Sequence, residues 1–245
     1  MKIIEVENYQ EMSKQAAQYI IEKIKKQPKL KLGLATGGTP VGLYQKLIED
    51  HRENGTDYYD VTTFNLDEYI GLQGTDPNSY RYFMNDQLFD HINIQKENTF
   101  IPSGVKEDSE QEAKDYEATI KSYGGIDLQI LGIGQNGHIG FNEPGTSFES
   151  ATHIVQLATS TREANARYFA RMEDVPTKAI TMGIGTIMKS KEILLLISGD
   201  SKTEAFNRLV NGEIDPHFPA SILRKHPGVT VIADQAARLG VKVHG

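Results

Sequence analysis

Apolar residues recur along this chain in two alternating rhythms. Between positions 9 and 26 they fall every three or four residues, with Met12, Ala16, Ile20 and Ile24 on one stripe, the spacing of an amphipathic helix. LKLGLAT (30–36) is a near-continuous apolar run that ends in TGGTP, as a buried strand does when a turn breaks it. The alternation continues to the end of the chain. Further strands are predicted at 61–67, 126–134, 153–157, 178–185, 192–199 and 229–234, and helices at 41–50, 78–91, 109–123, 160–172 and 201–211. Strands separated by helices predict an α/β fold with a mostly parallel sheet covered on both faces. No repeat, low-complexity tract or Pro/Gly/Ser-rich linker divides residues 1–245, so a single domain is expected.

Composition narrows the function classes. A net charge of -7 argues against a nucleic-acid partner, which needs a basic face to meet phosphates. It leaves room for a small anion in a locally positive pocket. The chain has no cysteine, which removes disulfides, thiolate nucleophiles and cysteine-based metal sites together. The N-terminus MKIIEVENYQEMSKQ carries no apolar signal core, and the longest apolar run, ILLLI at 193–197, is far too short to span a bilayer. A cytoplasmic protein without membrane contact is expected.

In open parallel sheets ligands bind beyond the carboxyl ends of the strands, so the segments leaving those ends are the candidate site. The first is Thr36-Gly37-Gly38-Thr39-Pro40. Its glycines let backbone N–H groups converge, its threonines add hydroxyl donors, and Pro40 suits the first position of a helix. No Gly-Lys-Ser/Thr follows, so it is not a Walker loop, and an ordinary β-to-α turn has the same composition. Lys202 lies at the predicted start of a helix, where a cation opposes the macrodipole and a nearby anion would explain it. A phosphate held by the TGGT loop and Lys202, with Arg167 as a third donor, is the sharper alternative. Asp67 ends an apolar strand and suits either a cap or a general base at the cleft.

The segment GIGQNGHIGFNEP (132–144) satisfies the dinucleotide fingerprint in its first six letters. That fingerprint also requires a helix opening on the third glycine and an acidic residue about 20 positions on. Here Asn-Glu-Pro-Gly turn chemistry follows, and HIVQLATS contains no acid. The informative half is His138, set between small residues with Glu143 five positions on. Histidine moves protons near neutral pH, and a carboxylate can orient it. No H-E-x-x-H metal motif and no G-x-S-x-G elbow is present. The residues therefore point to an enzyme for a small phosphorylated molecule, working by proton transfer with Asp67, His138 and Glu143, and imply no metal or cofactor.

Taken together, LATGGTP (34–40), TFNLDEYIGL (63–72), GIGQNGHIGFNEP, TREANARYF (161–169) and ISGDSK (197–202) resemble the glucosamine-6-phosphate deaminases, also called isomerase/deaminases, along essentially the whole chain. The resemblance implies a three-layer, doubly wound α/β fold shared with 6-phosphogluconolactonases and ribose-5-phosphate isomerase-like proteins. It implies conversion of glucosamine 6-phosphate and water to fructose 6-phosphate and ammonia. His138 would open the sugar ring, Glu143 would hold and polarise His138, and Asp67 would carry the proton from C2 to C1. Thr36, Gly37, Gly38, Thr39, Arg167 and Lys202 would hold the phosphate. GTSFESATH (145–153) is expected to form a lid.

Two positions depart from the family's familiar pattern. Asn136 stands where an aspartate is usual, so Glu143 is expected to be the main carboxylate partner of His138, with Asn136 orienting it. The stretch Ala151 to Val155 lacks the basic residues of allosteric, hexameric members, and the chain stops at VKVHG. No activation by N-acetylglucosamine 6-phosphate is expected, and a monomer or small homo-oligomer rather than a hexamer. The rivals are a 6-phosphogluconolactonase, which lacks the FNEP continuation and the FNLDEY carboxylate, and a non-catalytic sugar-phosphate sensor.

Overall fold

The computed structural model describes residues 1–242, with backbone only at 160, 164 and 168. Ten strands and seven helices follow in the order β1 (Lys2–Val6), α1 (Tyr9–Lys26), β2 (Lys31–Leu34), α2 (Val41–Asn54), β3 (Thr62–Asn65), β4 (Asp67–Tyr69), α3 (Tyr80–Gln87), β5 (Thr99–Phe100), α4 (Ser109–Ser122), β6 (Leu128–Leu131), β7 (His153–Gln156), α5 (Thr159–Asn165), β8 (Lys178–Thr181), α6 (Ile184–Ile187), β9 (Glu192–Ile197), α7 (Thr203–Asn211) and β10 (Val229–Asp234). Seven strands form a parallel sheet in the order β1-β10-β9-β6-β2-β3-β5. The chain winds outward from β2 through β3 to β5, then returns on the other side of β2 with β6. Direction therefore switches between β2 and β6, and a crevice opens where their connections part.

One face of the sheet buries α1, α2 and α3, with Met12, Ile20, Leu43, Leu47 and Met84 packed on Leu32, Leu34, Leu128 and Leu194. The other buries α4, α6 and α7, with Ile120, Ile184, Phe206 and Leu209 on Phe64, Leu131 and Leu195. The stripe predicted for α1 is fully buried at Met12, Ala16 and Ile20, worth roughly 1.5–3 kcal/mol for each large side chain. Asn8 caps that helix by accepting from Glu11 N–H.

A second sheet of three antiparallel strands, β4-β8-β7, corrects the expected boundaries. The apolar run 61–67 is not one strand. Leu66 N–H donates to Leu34 O in the parallel sheet, then Leu66 O accepts from Met182 N–H, and Asp67 begins β4 opposite Thr181. The run 178–185 likewise divides into β8 and α6. The strand predicted at 126–134 is confined to β6, and the helix at 78–91 to α3 followed by a 3-10 turn. The predicted helix 160–172 ends at Asn165 and continues as a 3-10 turn, Ala166–Tyr168. Edge strand β1 and a 3-10 segment at Pro219–Lys225 were not predicted.

Candidate active site

At the β2 end of the crevice, the turn 35–40 is built to leave its amides available. Gly37 has φ +91°, a conformation that costs other residues strain. Pro40 stands at the N-cap, one position before its expected place, and its carbonyl accepts from Tyr44 N–H. Tyr9, at the start of α1, braces the loop: its hydroxyl donates toward Gly38 O (3.0 Å) and accepts from Gly42 N–H (2.8 Å). Lys202 lies in the 3-10 turn that leads into α7. Burial first, and the nearby Arg167 charge second, hold its ammonium below the usual value. Two converging cations beside a turn of backbone donors favour a doubly charged anion.

Asp67 lines the same crevice and is 6% exposed. Burial, and then the Glu68 charge, push its carboxyl up to about 8, which favours the protonated form at neutral pH. Glu68 has a different part. Its carboxylate accepts from Tyr69 N–H (2.8 Å), Tyr80 N–H (2.9 Å) and Arg81 N–H (2.9 Å), tying β4 to the first turn of α3. Of two adjacent acids, one is spent on structure and the other faces the cavity.

The loop after β6 carries a chain of hydrogen bonds. Asn136 Oδ1 accepts from His138 N–H (3.1 Å) and lies 2.8 Å from His138 Nδ1, while Asn136 Nδ2 donates to Glu143 Oε2 (2.9 Å). A backbone donor on one side and a carboxylate on the other fix which way the amide points. His138 Nδ1 must then carry the hydrogen, and neutral His138 keeps its free lone pair on Nε2. Burial holds the imidazole below its usual value, with Glu143 raising it and Lys202 lowering it further, so the ring is neutral and basic at neutral pH. Glu143 is the carboxylate paired with His138, its Oε2 standing 4.0 Å from Nδ1, and Asn136 links the two by bonding to both.

Close packing holds this loop in place. A Cβ on Gly134 would lie 2.3 Å from His138 Cε1 and Nδ1, so that glycine makes room for the His138 ring. Ala220 N–H, from the 3-10 segment, donates to Gly137 O (2.9 Å). Strand β8 joins the loop to Asp67: Thr181 lies opposite Asp67, its hydroxyl accepts from Phe141 N–H (3.1 Å), and Met182 O accepts from Asn142 Nδ2 (2.9 Å). The segment 145–153 is not a free lid. Gly145 N–H donates to Pro216 O (2.9 Å), Ser150 O accepts from Gly185 N–H (2.8 Å) and the Thr152 hydroxyl donates to Glu117 (2.6 Å).

These walls enclose a cavity of about 720 Å³, within the range of small-ligand sites. Thr36, Gly37, Gly38, Thr39, Arg167 and Lys202 line it, as do Asp67, Asn136 and His138, while Glu143 stands behind Asn136. Tyr9, Tyr80, Thr161 and Asn165 also line it and were not singled out from the sequence. Tyr9 and Tyr80 were hidden as helix-start aromatics. Thr161 and Asn165 lie inside a motif from which only Arg167 was drawn. Among the described residues, no three His, Asp or Glu side chains are grouped as metal ligands would be, and no helix is long and apolar enough to cross a membrane. The VKVHG terminus includes residues 243–245, which lie outside the described residues.

The glucosamine-6-phosphate isomerase/6-phosphogluconolactonase family model matches residues 6–232. A glucosamine-6-phosphate deaminase of Halalkalibacterium halodurans is 60% identical over 243 residues, covering 99% of each chain. One from Shouchella clausii is 60% identical over 237 residues, covering 97% of this chain and 96% of its own. Among solved structures, a monomeric glucosamine-6-phosphate deaminase superposes with a TM-score of 0.95 at 53% identity, covering 97% of this chain and 98% of its own. A 6-phosphogluconolactonase from Trypanosoma cruzi shares the fold, with a TM-score of 0.79 at 21% identity over 98% of this chain and 97% of its own. By its sequence along nearly all of its length and by its fold, the chain belongs to the glucosamine-6-phosphate isomerase/6-phosphogluconolactonase family.

Proposed function

We propose that this protein converts glucosamine 6-phosphate and water to fructose 6-phosphate and ammonia, with the TGGT loop, Arg167 and Lys202 holding the phosphate. His138 Nε2 takes the proton of the anomeric hydroxyl and returns it to the ring oxygen as the C1–O bond to that oxygen breaks. Asp67 then removes the proton from C2 of the open aldose, and the C2 ammonium gives up a proton as the C1 oxygen takes one, leaving a neutral enolamine. Return of a proton to C1 leaves an iminium at C2. Water adds there, and ammonia leaves as the ketone forms. Phosphate binding remote from C2 supplies the positioning that these steps need. The substrate's C2 ammonium places an opposing charge near Asp67 and so favours its ionised form.

Asp67 carries this conclusion. A buried carboxylate at the start of β4 that lines the cavity suits abstraction of a C–H proton, and lactone hydrolysis has no use for it. The close relatives named as deaminases support the same choice over the lactonase, and the monomeric relative supports a chain that acts without a partner subunit. The test is ammonia release from glucosamine 6-phosphate, with EDTA present, for wild type and Asp67→Asn. Removing a general base costs about 10²–10⁴-fold. Full activity in the variant, or hydrolysis of 6-phosphogluconolactone by wild type in place of ammonia release, overturns the reading.

A further inference from the structure

Each Glu143 oxygen accepts a hydrogen bond, and the two donors come from different parts of the fold. Asn136, on the loop after β6, donates to Oε2 at 2.9 Å. The Thr161 hydroxyl, on α5, donates to Oε1. Thr161 is 7% exposed and lines the cavity. A threonine near a helix start ordinarily caps its own helix, but here Ala158 is the N-cap and makes no side-chain bond. The Thr161 hydroxyl is spent on the carboxylate that backs the Asn136–His138 pair. The turn that continues α5, Ala166–Tyr168, carries Arg167, which lines the phosphate end of the same cavity.

We propose that Thr161 is a positioning residue that couples phosphate binding to ring opening. The inference rests on the deaminase reading above. A phosphate gripped by Arg167 fixes the segment 159–168. That segment, through Thr161, fixes Glu143, and Glu143 fixes the amide that sets the tautomer and direction of His138. Binding energy from the far end of the substrate is thereby spent where the ring opens. With the hydroxyl gone, Oε1 loses its partner and the carboxylate is free to turn away from Asn136.

The test is a double-mutant cycle on ammonia release. Thr161→Val and Thr161→Ala both remove the hydroxyl at different bulk, Thr161→Ser keeps it, and Arg167→Ala removes the grip. Hydrogen bonds to charged groups are worth about 1.5–3 kcal/mol, so the hydroxyl-less variants are expected to lose about 10- to 100-fold in kcat. Their KM should stay within about threefold, and Thr161→Ser should recover most of the loss. In an Arg167→Ala background the same substitutions should cost less than about threefold in kcat/KM, because the coupling has already been cut. An unchanged kcat in the hydroxyl-less variants, or a full and additive loss in the Arg167→Ala background, overturns the proposal. Failure of wild type to release ammonia is a separate outcome and overturns the deaminase reading itself.

Discussion

Asp67→Asn should make the protein more stable while cutting its turnover about 10²–10⁴-fold, and the gain should grow with pH. The Asp67 carboxyl stands at about 8 in the folded chain against 3.8 for the ordinary group, because it is buried and faces the Glu68 charge. The sign follows from proton binding. Between those two values the folded state keeps a proton that the unfolded state releases, so wild-type stability falls as pH rises through this window. At about 1.36 kcal/mol per unit, the fall between about pH 5 and about pH 9 comes to about 4 kcal/mol. Asparagine resembles the neutral acid in size and polarity and has nothing to ionise. For a chain of this length 1 kcal/mol is worth about 2–4 °C in Tm. The Tm difference between Asp67→Asn and wild type should therefore widen by roughly 8 °C or more from about pH 5 to about pH 9, measured by circular dichroism in matched buffers. Every other titrating group is common to both proteins and cancels in the difference. A constant gap would show that Asp67 is ionised in the folded chain, and the account of its burial would fall.

Asn136→Asp places a carboxylate on His138 Nδ1, where the neutral amide now sits at 2.8 Å; it should raise the imidazole's proton affinity and move the acid limb of kcat/KM to higher pH, and an unmoved limb would remove His138 from that profile. Gly134→Ala drives a Cβ to 2.3 Å from the His138 ring and should cost more than about 100-fold in ammonia release and about 1–3 kcal/mol in stability, both read on the same preparation. The cavity beside β7 is lined by Glu107, Asp108 and Glu110 against one cation, Lys178, a setting that repels phosphate. The rate curve for glucosamine 6-phosphate should therefore be hyperbolic and unmoved by N-acetylglucosamine 6-phosphate, and a sigmoidal curve relieved by that effector would contradict this.

Much of this protein was legible in local pattern. The α1 stripe and the apolar runs of β2, β6, β9 and β10 record which faces must leave water, and that requirement is periodic in the sequence whatever the rest of the chain does. Alternation of the two rhythms implied a parallel sheet and hence a site at its carboxyl edge, and Thr36, Asp67, His138 and Lys202 were found by asking what leaves each strand there. The limits have a common cause. Asp67 was assigned to the end of one strand because apolarity does not mark a change of sheet; only pairing with Thr181 does. The parts played by Gly134 and Asn136 were not legible, because sequence carries no distances: the glycine holds space for the His138 ring, and the amide bonds to both His138 and Glu143. Thr161 and Tyr9 were passed over because each acts on a group remote in sequence. Composition and periodicity settled which residues are buried and which edge of the sheet receives a ligand, since both depend on neighbours along the chain. The state of the Asp67 proton depends on burial, and the tautomer of His138 and the tie from the Arg167 segment to Glu143 depend on which atoms the folded loops bring into hydrogen-bond reach, and these only the tertiary structure decided.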